Sequence, residues 1–428
     1  MNNGMFDALY GKPCMSNAPA APNFPAARDC DPLTLGWMQG SPPPADKRIQ
    51  FHDTTSYRFP QLRWSFAHQR QLVPTVAVAH GQSKDLPVSA QGLPSIQYTA
   101  LGGQGSGDWA AMMEATYTDA VLVMHKGQVL FEHYGGVMTP STPHIAMSVS
   151  KSFMGTMAAC LVAQGQLDEH QLVGHYVPEL TTSGFGHATV RQVMDMTTGI
   201  DYTENYADPQ AEIWNHMRAG GVMPRPAGYA GPTHFYDYLP RVRPKGVHGE
   251  QFTYRTANTD VLGWIVARVT GLTSEALLSQ LIWQPMGAEH DAYYAVDTVG
   301  TAFAGGGLNT SLRDLARFGE LMRNHGRVGD RQVLPEAAIR DCFAGADPKL
   351  FAANGPPTLP GWSYRNMWWV SHNPHGAMMA RGVHGQNIYI DPKAEMVIAR
   401  YASHPIAANI GNDPHTLPAY HAMAQALL

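Results

Sequence analysis

The sequence predicts an α/β protein, layered as α+β: a sheet drawn from both halves of the chain, flanked by helices and interrupted by a mainly helical lobe. Three observations predict it. Hairpin patterns occur near both ends of the chain, helical patterns fill the middle, and 44% of the 428 residues are hydrophobic against 15% charged. That composition supplies a large buried core and excludes whole-chain disorder.

Taken in order, residues 1–60 are rich in Pro, Gly and Asp, include Ser41-Pro42-Pro43-Pro44, and read as an extended N-terminal arm. Residues 61–73 (QLRWSFAHQRQLV) suggest a short helix, and 84–108 a loop. The runs DAVLVMH and QVLFEHYGG meet at Lys126-Gly127, which reads as a hairpin with a glycine turn. Residues 147–164 are apolar and rich in Ala, Met and Leu, with Gly165 just beyond, as expected of a mostly buried helix with a glycine cap. A helix is expected over 188–198, then irregular chain over 200–250. Helices follow over 256–271 and 273–283, and over 310–325 behind a Thr-Ser cap. QNIYID and EMVIARYA flank Pro392-Lys393-Ala394 as a second hairpin, and 414–428 ends the chain as a helix. The resulting division is an arm (1–60), an α/β domain (61–185 with 300–428) and a helical lobe (186–299).

Bulk properties narrow the function. The net charge is −5 with no basic stripe, which argues against nucleic acid as a partner. No apolar run is long enough to span a bilayer, and the N-terminus lacks a secretory pattern. Cys14, Cys30, Cys160 and Cys342 are widely spaced and form no metal motif. They read as free thiols, which fits a cytoplasmic location.

The chemical signal is Ser148-Val149-Ser150-Lys151, at the entry to the buried helix. Residues three apart share a helix face, so hydroxyl and amine can meet. A serine becomes a nucleophile when a base takes its proton, and a buried lysine loses its charge readily enough to be that base. Such a tetrapeptide also arises by chance, and carries weight here through its place at a helix start. Tyr254 precedes the helix at 256–271 and can relay a proton, although alone it reads as a half-buried aromatic. Gly382 and Gly385 bracket Val383 and His384 at a strand start, where backbone can approach a ligand closely. His384 alone reads as structural. No HExxH, GxSxG or P-loop is present, and no metal or cofactor is expected.

These signals resemble the S-x-x-K serine hydrolases, the β-lactamase and penicillin-binding-protein superfamily, on its class C β-lactamase and family VIII carboxylesterase side. The sequence is most similar to the 6-aminohexanoate-dimer (nylon oligomer) hydrolases. The stretches carrying this are WSFAH (64–68), MSVSKS (147–152), IDYTENYADP (200–209), TANTDVLGWIVARVTGL (256–272), LRDLAR (312–317), MWW (367–369) and VHGQNIYIDP (383–392). The resemblance implies a β-lactamase/transpeptidase-like fold with a central antiparallel sheet. It implies Ser148 as nucleophile, Lys151 as general base and Tyr254 as proton donor to the leaving group. It puts the oxyanion hole at the backbone N–H groups of Ser148 and Val383. Tyr206, Met217, Trp369, Gly382 and His384 fall at substrate-binding positions.

Two motifs depart from the pattern. Tyr254-Arg255-Thr256 stands where Tyr-x-Asn is usual, and Ala380-Arg381-Gly382 where Lys- or His-Thr-Gly is usual. Both weigh against antibiotic hydrolysis. Met217 falls where members efficient on the linear amide dimer tend to carry an acid, which favours esters over a charged amide. The expected activity is hydrolysis of a small ester or linear amide through an acyl-enzyme. Acyl transfer, β-lactamase or D,D-peptidase activity, and a non-catalytic binding module are the alternatives. The expected partners exclude nucleic acid and membrane, and a homodimer is left open.

Overall fold

The computed structural model describes residues 24–103 and 105–428. The first part of the expected arm, with Cys14, lies outside the described residues. Within 24–60 the chain is held by short 3-10 turns at Ala27–Cys30, Ala45–Lys47 and Thr55–Tyr57.

Eleven strands build two antiparallel sheets: β1 (Thr75–Val78), β2 (Thr118–His125), β3 (Gln128–Tyr134), β4 (His144–Ile145), β5 (Ala292–Ala295), β6 (Leu308–Thr310), β7 (Ser363–Arg365), β8 (Trp368–Val370), β9 (Met378–Arg381), β10 (Asn387–Asp391) and β11 (Met396–Ala402). The larger sheet has the order β7-β8-β9-β10-β11-β2-β3, so the two expected hairpins pair with each other through β11 and β2. The β2–β3 turn takes left-handed φ at Lys126 (51°) and Gly127 (77°), as a two-residue hairpin turn requires. The smaller sheet, β1-β5-β6-β4, was not foreseen. Its members are two to four residues long, too short to show alternation, and all but β1 are wholly buried.

Six helices matter for the site: α1 (Val149–Ala163), α2 (Glu212–Ala219), α3 (Ala257–Thr270), α4 (Leu312–Arg323), α5 (Glu336–Ala344) and α6 (Asp413–Leu427). Every residue of α1 from Val149 to Leu161 is buried. It packs against α3 and α5 and against β8 and β9. A helix this apolar, whose few polar side chains all find internal partners, has no solvent face to offer and belongs at the centre. Helix α4 lies on the large sheet; a Cβ at its Gly319 would sit 2.6 Å from Val397 and 2.8 Å from Ile388.

Several expectations are corrected. Residues 61–73 split into a helical turn at Leu62–Ser65 and a 3-10 turn at Gln69–Gln71. The helix at 273–283 runs as α only over Ser274–Leu278, then widens to a π turn. The stretch 188–198 is helical only over Val190–Met194, opened by a Thr189–Gln192 capping box. The stretch 200–250 contains α2 and the turn Phe235–Tyr238. Cys30, Cys160 and Cys342 are buried and unpaired. Among the described residues no single helix is long and apolar enough to cross a membrane.

Candidate active site

The chain enters α1 through a sharp turn. Met147 takes a left-handed φ of 49°, unusual for a side chain of this size, and Ser148 follows at −68° as the N-cap. The turn is pinned to β6. Ser150 Oγ donates to the Met147 carbonyl (2.6 Å) and accepts from the Leu308 N–H (3.1 Å), while the Ala146 N–H donates to the Leu308 carbonyl (2.8 Å). Ser148 is thereby held at the floor of a cleft.

One helical turn on, Lys151 is buried at 1% exposure and its Nζ donates to Ser148 Oγ at 2.8 Å. It also donates to the Gly305 carbonyl at 2.5 Å. Burial lowers this amine to about 8, against the opposing pull of the Glu204 and Asp260 carboxylates. Tyr254 closes the group: its hydroxyl pairs with that of Ser148, and its ring centroid lies 5.2 Å from Lys151 Nζ. Burial, with Glu204 nearby, pushes the phenol well above its ordinary value. Near neutral pH Tyr254 therefore keeps its proton, while Lys151 reaches its neutral, proton-accepting form far more readily than an ordinary lysine.

The strand end after β9 lies along the same turn. A Cβ at Gly382 would stand 2.8 Å from the Ala146 carbonyl oxygen and 3.0 Å from the Ser148 nitrogen. Only a residue without a side chain allows that approach, and it sets Val383 beside Ser148 in the cleft wall. Among the described residues neither the Ser148 nor the Val383 N–H donates to a protein acceptor. Both are free for an oxyanion.

The cleft encloses about 610 Å³, part of it open to solvent. Its walls are mainly apolar: Ile145, Tyr206, Ile213, Met217, Val222 and Phe303, with Tyr57 reaching in from the N-terminal segment. Tyr206 and Met217, expected at substrate-binding positions, are thus among the residues lining the cleft. Trp369 does not line this cleft; it stacks on Tyr254, with centroids 5.4 Å apart. Its ring also meets Phe252, Phe351 and Tyr364, and the Arg381 guanidinium, 5.4 Å from the ring, is bonded to Asp413 at 2.6 and 2.9 Å. His384, also expected at a substrate-binding position, is likewise outside the cleft lining. Its ring is buried against Phe66, its Nδ1 meets the His404 carbonyl at 2.7 Å, and burial lowers it to about 4. It packs the strand end. Gly385 likewise turns towards Asn412 and Arg400.

Sequence reasoning passed over Glu204. Its carboxylate accepts the Thr256 N–H (2.5 Å) and hydroxyl (2.7 Å) and the Tyr206 hydroxyl (2.7 Å). It thereby fastens the 200–209 stretch to the start of α3, directly behind Tyr254. Its only sequence signal was its place inside IDYTENYADP. Among the described residues no group of three His, Cys, Asp or Glu side chains is placed to hold a metal ion.

A serine and a lysine one helical turn apart, a tyrosine beside them and a seven-stranded antiparallel sheet behind define a class. A sequence profile of the beta-lactamase family matches residues 109–414, and the chain belongs to that family of serine hydrolases. It is an enzyme of amidase or esterase type. It is 38% identical over 347 residues to the 6-aminohexanoate-dimer hydrolase of Paenarthrobacter ureafaciens, covering 81% of this chain and 86% of that one. A candidate 6-aminohexanoate-dimer hydrolase from Bacillus anthracis superposes with a TM-score of 0.78 at 32% identity, over 86% of this chain and 95% of the other. A class C beta-lactamase from Rhodobacter sphaeroides shares the fold, with a TM-score of 0.52 at 17% identity, over 73% and 97% of the two chains.

Proposed function

We propose that the protein hydrolyses small carboxylic esters and linear amides through an acyl-enzyme on Ser148. The observation that carries this is the 2.8 Å contact between Lys151 Nζ and Ser148 Oγ, with the amine buried and its affinity for protons reduced. Ser148 Oγ attacks the carbonyl carbon while its proton passes to Lys151 Nζ. The oxyanion accepts hydrogen bonds from the Ser148 and Val383 N–H groups. As the bond to the leaving group breaks, Tyr254 gives that alcohol or amine a proton and is resupplied from the Lys151 ammonium. Water then attacks the acyl-enzyme, its proton returning to Ser148 Oγ by the same groups.

The cleft supports an uncharged acyl group, because no acidic or basic side chain is among its lining residues. The 38% identity to a 6-aminohexanoate-dimer hydrolase supports an aliphatic linear substrate of that size. With Met217 in the wall, the acyl chain that fits best carries no ammonium.

Ser148→Ala tests the reading. Removing the nucleophile of a unit of this kind costs on the order of 10⁶ in kcat. With p-nitrophenyl butyrate the wild type is expected to show a burst of p-nitrophenol, and the variant neither burst nor turnover. Near-normal turnover by Ser148→Ala would sink the proposal.

A further inference from the structure

We infer that Asp260 is a positioning residue for Lys151, acting through the peptide group of Gly305; this rests on the roles of Ser148 and Lys151 proposed above. The Gly305 peptide is gripped at both ends. Its N–H donates to Asp260 Oδ1 at 3.1 Å, and its carbonyl accepts from Lys151 Nζ at 2.5 Å. A side chain at 305 has no room: a Cβ would lie 2.5 Å from Thr256 Cγ2 and 3.0 Å from Asp260 Oδ2. The loop is thus pressed flat between α3 and the lysine, and Asp260 sets where its carbonyl stands.

Asp260 has little else to do. It is 5% exposed, in the first turn of α3. Its second oxygen faces His216 Nε2 at 3.2 Å, and neither atom makes an aligned hydrogen bond. His216 is fixed by other contacts: Nδ1 meets the Tyr202 hydroxyl at 2.9 Å, and the ring stacks on Tyr238 at 4.9 Å. Burying a carboxylate is costly unless it is well bonded. Here its one good partner is the peptide that holds the candidate base. A carboxylate on the N–H also polarises the carbonyl towards the lysine.

Two consequences differ in sign. Without the Asp260 charge the Gly305 carbonyl is held less firmly, so the rate falls. The same loss removes a negative charge that favours the Lys151 ammonium, so the amine deprotonates at lower pH. The groups facing Lys151 are Ser148, Tyr254, the Gly305 carbonyl and the carboxylates of Glu204 and Asp260; Arg381 stands beyond Tyr254, and His216 beyond Asp260.

The test is the pH profile of kcat and kcat/KM for p-nitrophenyl acetate, with the full-length wild type, Asp260→Asn and Asp260→Glu. Asp260→Asn is expected to lower kcat by about 10- to 100-fold, the range for a misplaced catalytic group. It is also expected to move the acidic limb of kcat/KM down by roughly half a pH unit, as loss of a nearby opposite charge does. Asp260→Glu keeps the charge but not the reach, so its limb stays at the wild-type pH while kcat falls. A wild-type limb or wild-type kcat in Asp260→Asn would overturn the inference, as would a limb displaced in Asp260→Glu. If circular dichroism shows that Asp260→Asn does not fold, Asp260→Glu decides alone. Turnover surviving in Ser148→Ala would instead overturn the underlying mechanism.

Discussion

At the scale of single residues, the proposed chemistry turns on two groups moved in opposite senses by one cause. Burial makes the Lys151 ammonium and the Tyr254 phenolate both unfavourable, so each group is pushed towards its neutral form. For the amine that means readiness to accept a proton; for the phenol, readiness to keep one until it is demanded. The proposed mechanism requires Lys151 neutral, and that fraction grows as pH rises through about 8. The log of kcat/KM for a neutral ester is therefore expected to climb with unit slope below that pH and level off above it. A pH–rate series from 6 to 9.5 checks this, and a flat profile would exclude Lys151 as the base. Ser148 and Lys151 were legible as a pair because three-residue spacing on a helix is a local property. Glu204 and Asp260 were not, because their partners Thr256 and Gly305 meet them only after folding, 52 and 45 residues apart along the chain.

At the scale of elements, the site depends on how closely α1 approaches the β7–β8 turn. The turn runs through Asn366 and Met367 with left-handed φ of 50° and 63°. It is tied down from several sides: the Asn366 N–H donates to Asp195 (3.0 Å), its amide to Asp341 (2.7 Å), and Ser152 Oγ donates to the Met367 carbonyl (2.8 Å). Arg365 bridges both of these aspartates at 2.9 and 2.7 Å. Contact is possible because residue 155 is glycine; a Cβ there would lie 2.1 Å from the Asn366 oxygen. Gly155→Ala is expected to destabilise the fold by about 1–3 kcal/mol, the usual cost of overpacking. Because β8 carries Trp369, which backs Tyr254, kcat is expected to fall as well. Thermal melts and ester kinetics on the variant check both effects. Nothing in the sequence pattern singles Gly155 out. The strands it faces are three residues long, too short for a period to show.

At the scale of the whole molecule, the cleft is assembled from parts far apart in the chain. Tyr57 comes from the N-terminal segment, Met217 and Ile213 from α2, Phe303 and the glycines at 305–307 from the approach to β6, and Val383 from the end of β9. Tyr57 also donates its hydroxyl to the Val222 carbonyl, joining the N-terminal segment to the chain after α2. Tyr57→Ala is expected to raise KM for p-nitrophenyl hexanoate by about tenfold, in line with the loss of apolar contact in a binding pocket. Its kcat for p-nitrophenyl acetate, too short to reach that wall, is expected to change little. Equal losses with both esters would show that Tyr57 supports the fold rather than the substrate.

What the sequence determined by itself was the α/β class, the buried helix behind Ser148, the Ser–Lys pair and the two hairpins that form the heart of the large sheet. Each depends on contacts within a few residues: a helical or strand period, a cap, a glycine turn. The tertiary structure alone decided the rest. It formed the second sheet, turned His384 into the core and placed Trp369 behind Tyr254. It put the carboxylates of Glu204 and Asp260 around one lysine. These depend on backbone atoms meeting across tens or hundreds of residues, where packing density and the burial of charge choose the partner, and no local pattern records the choice.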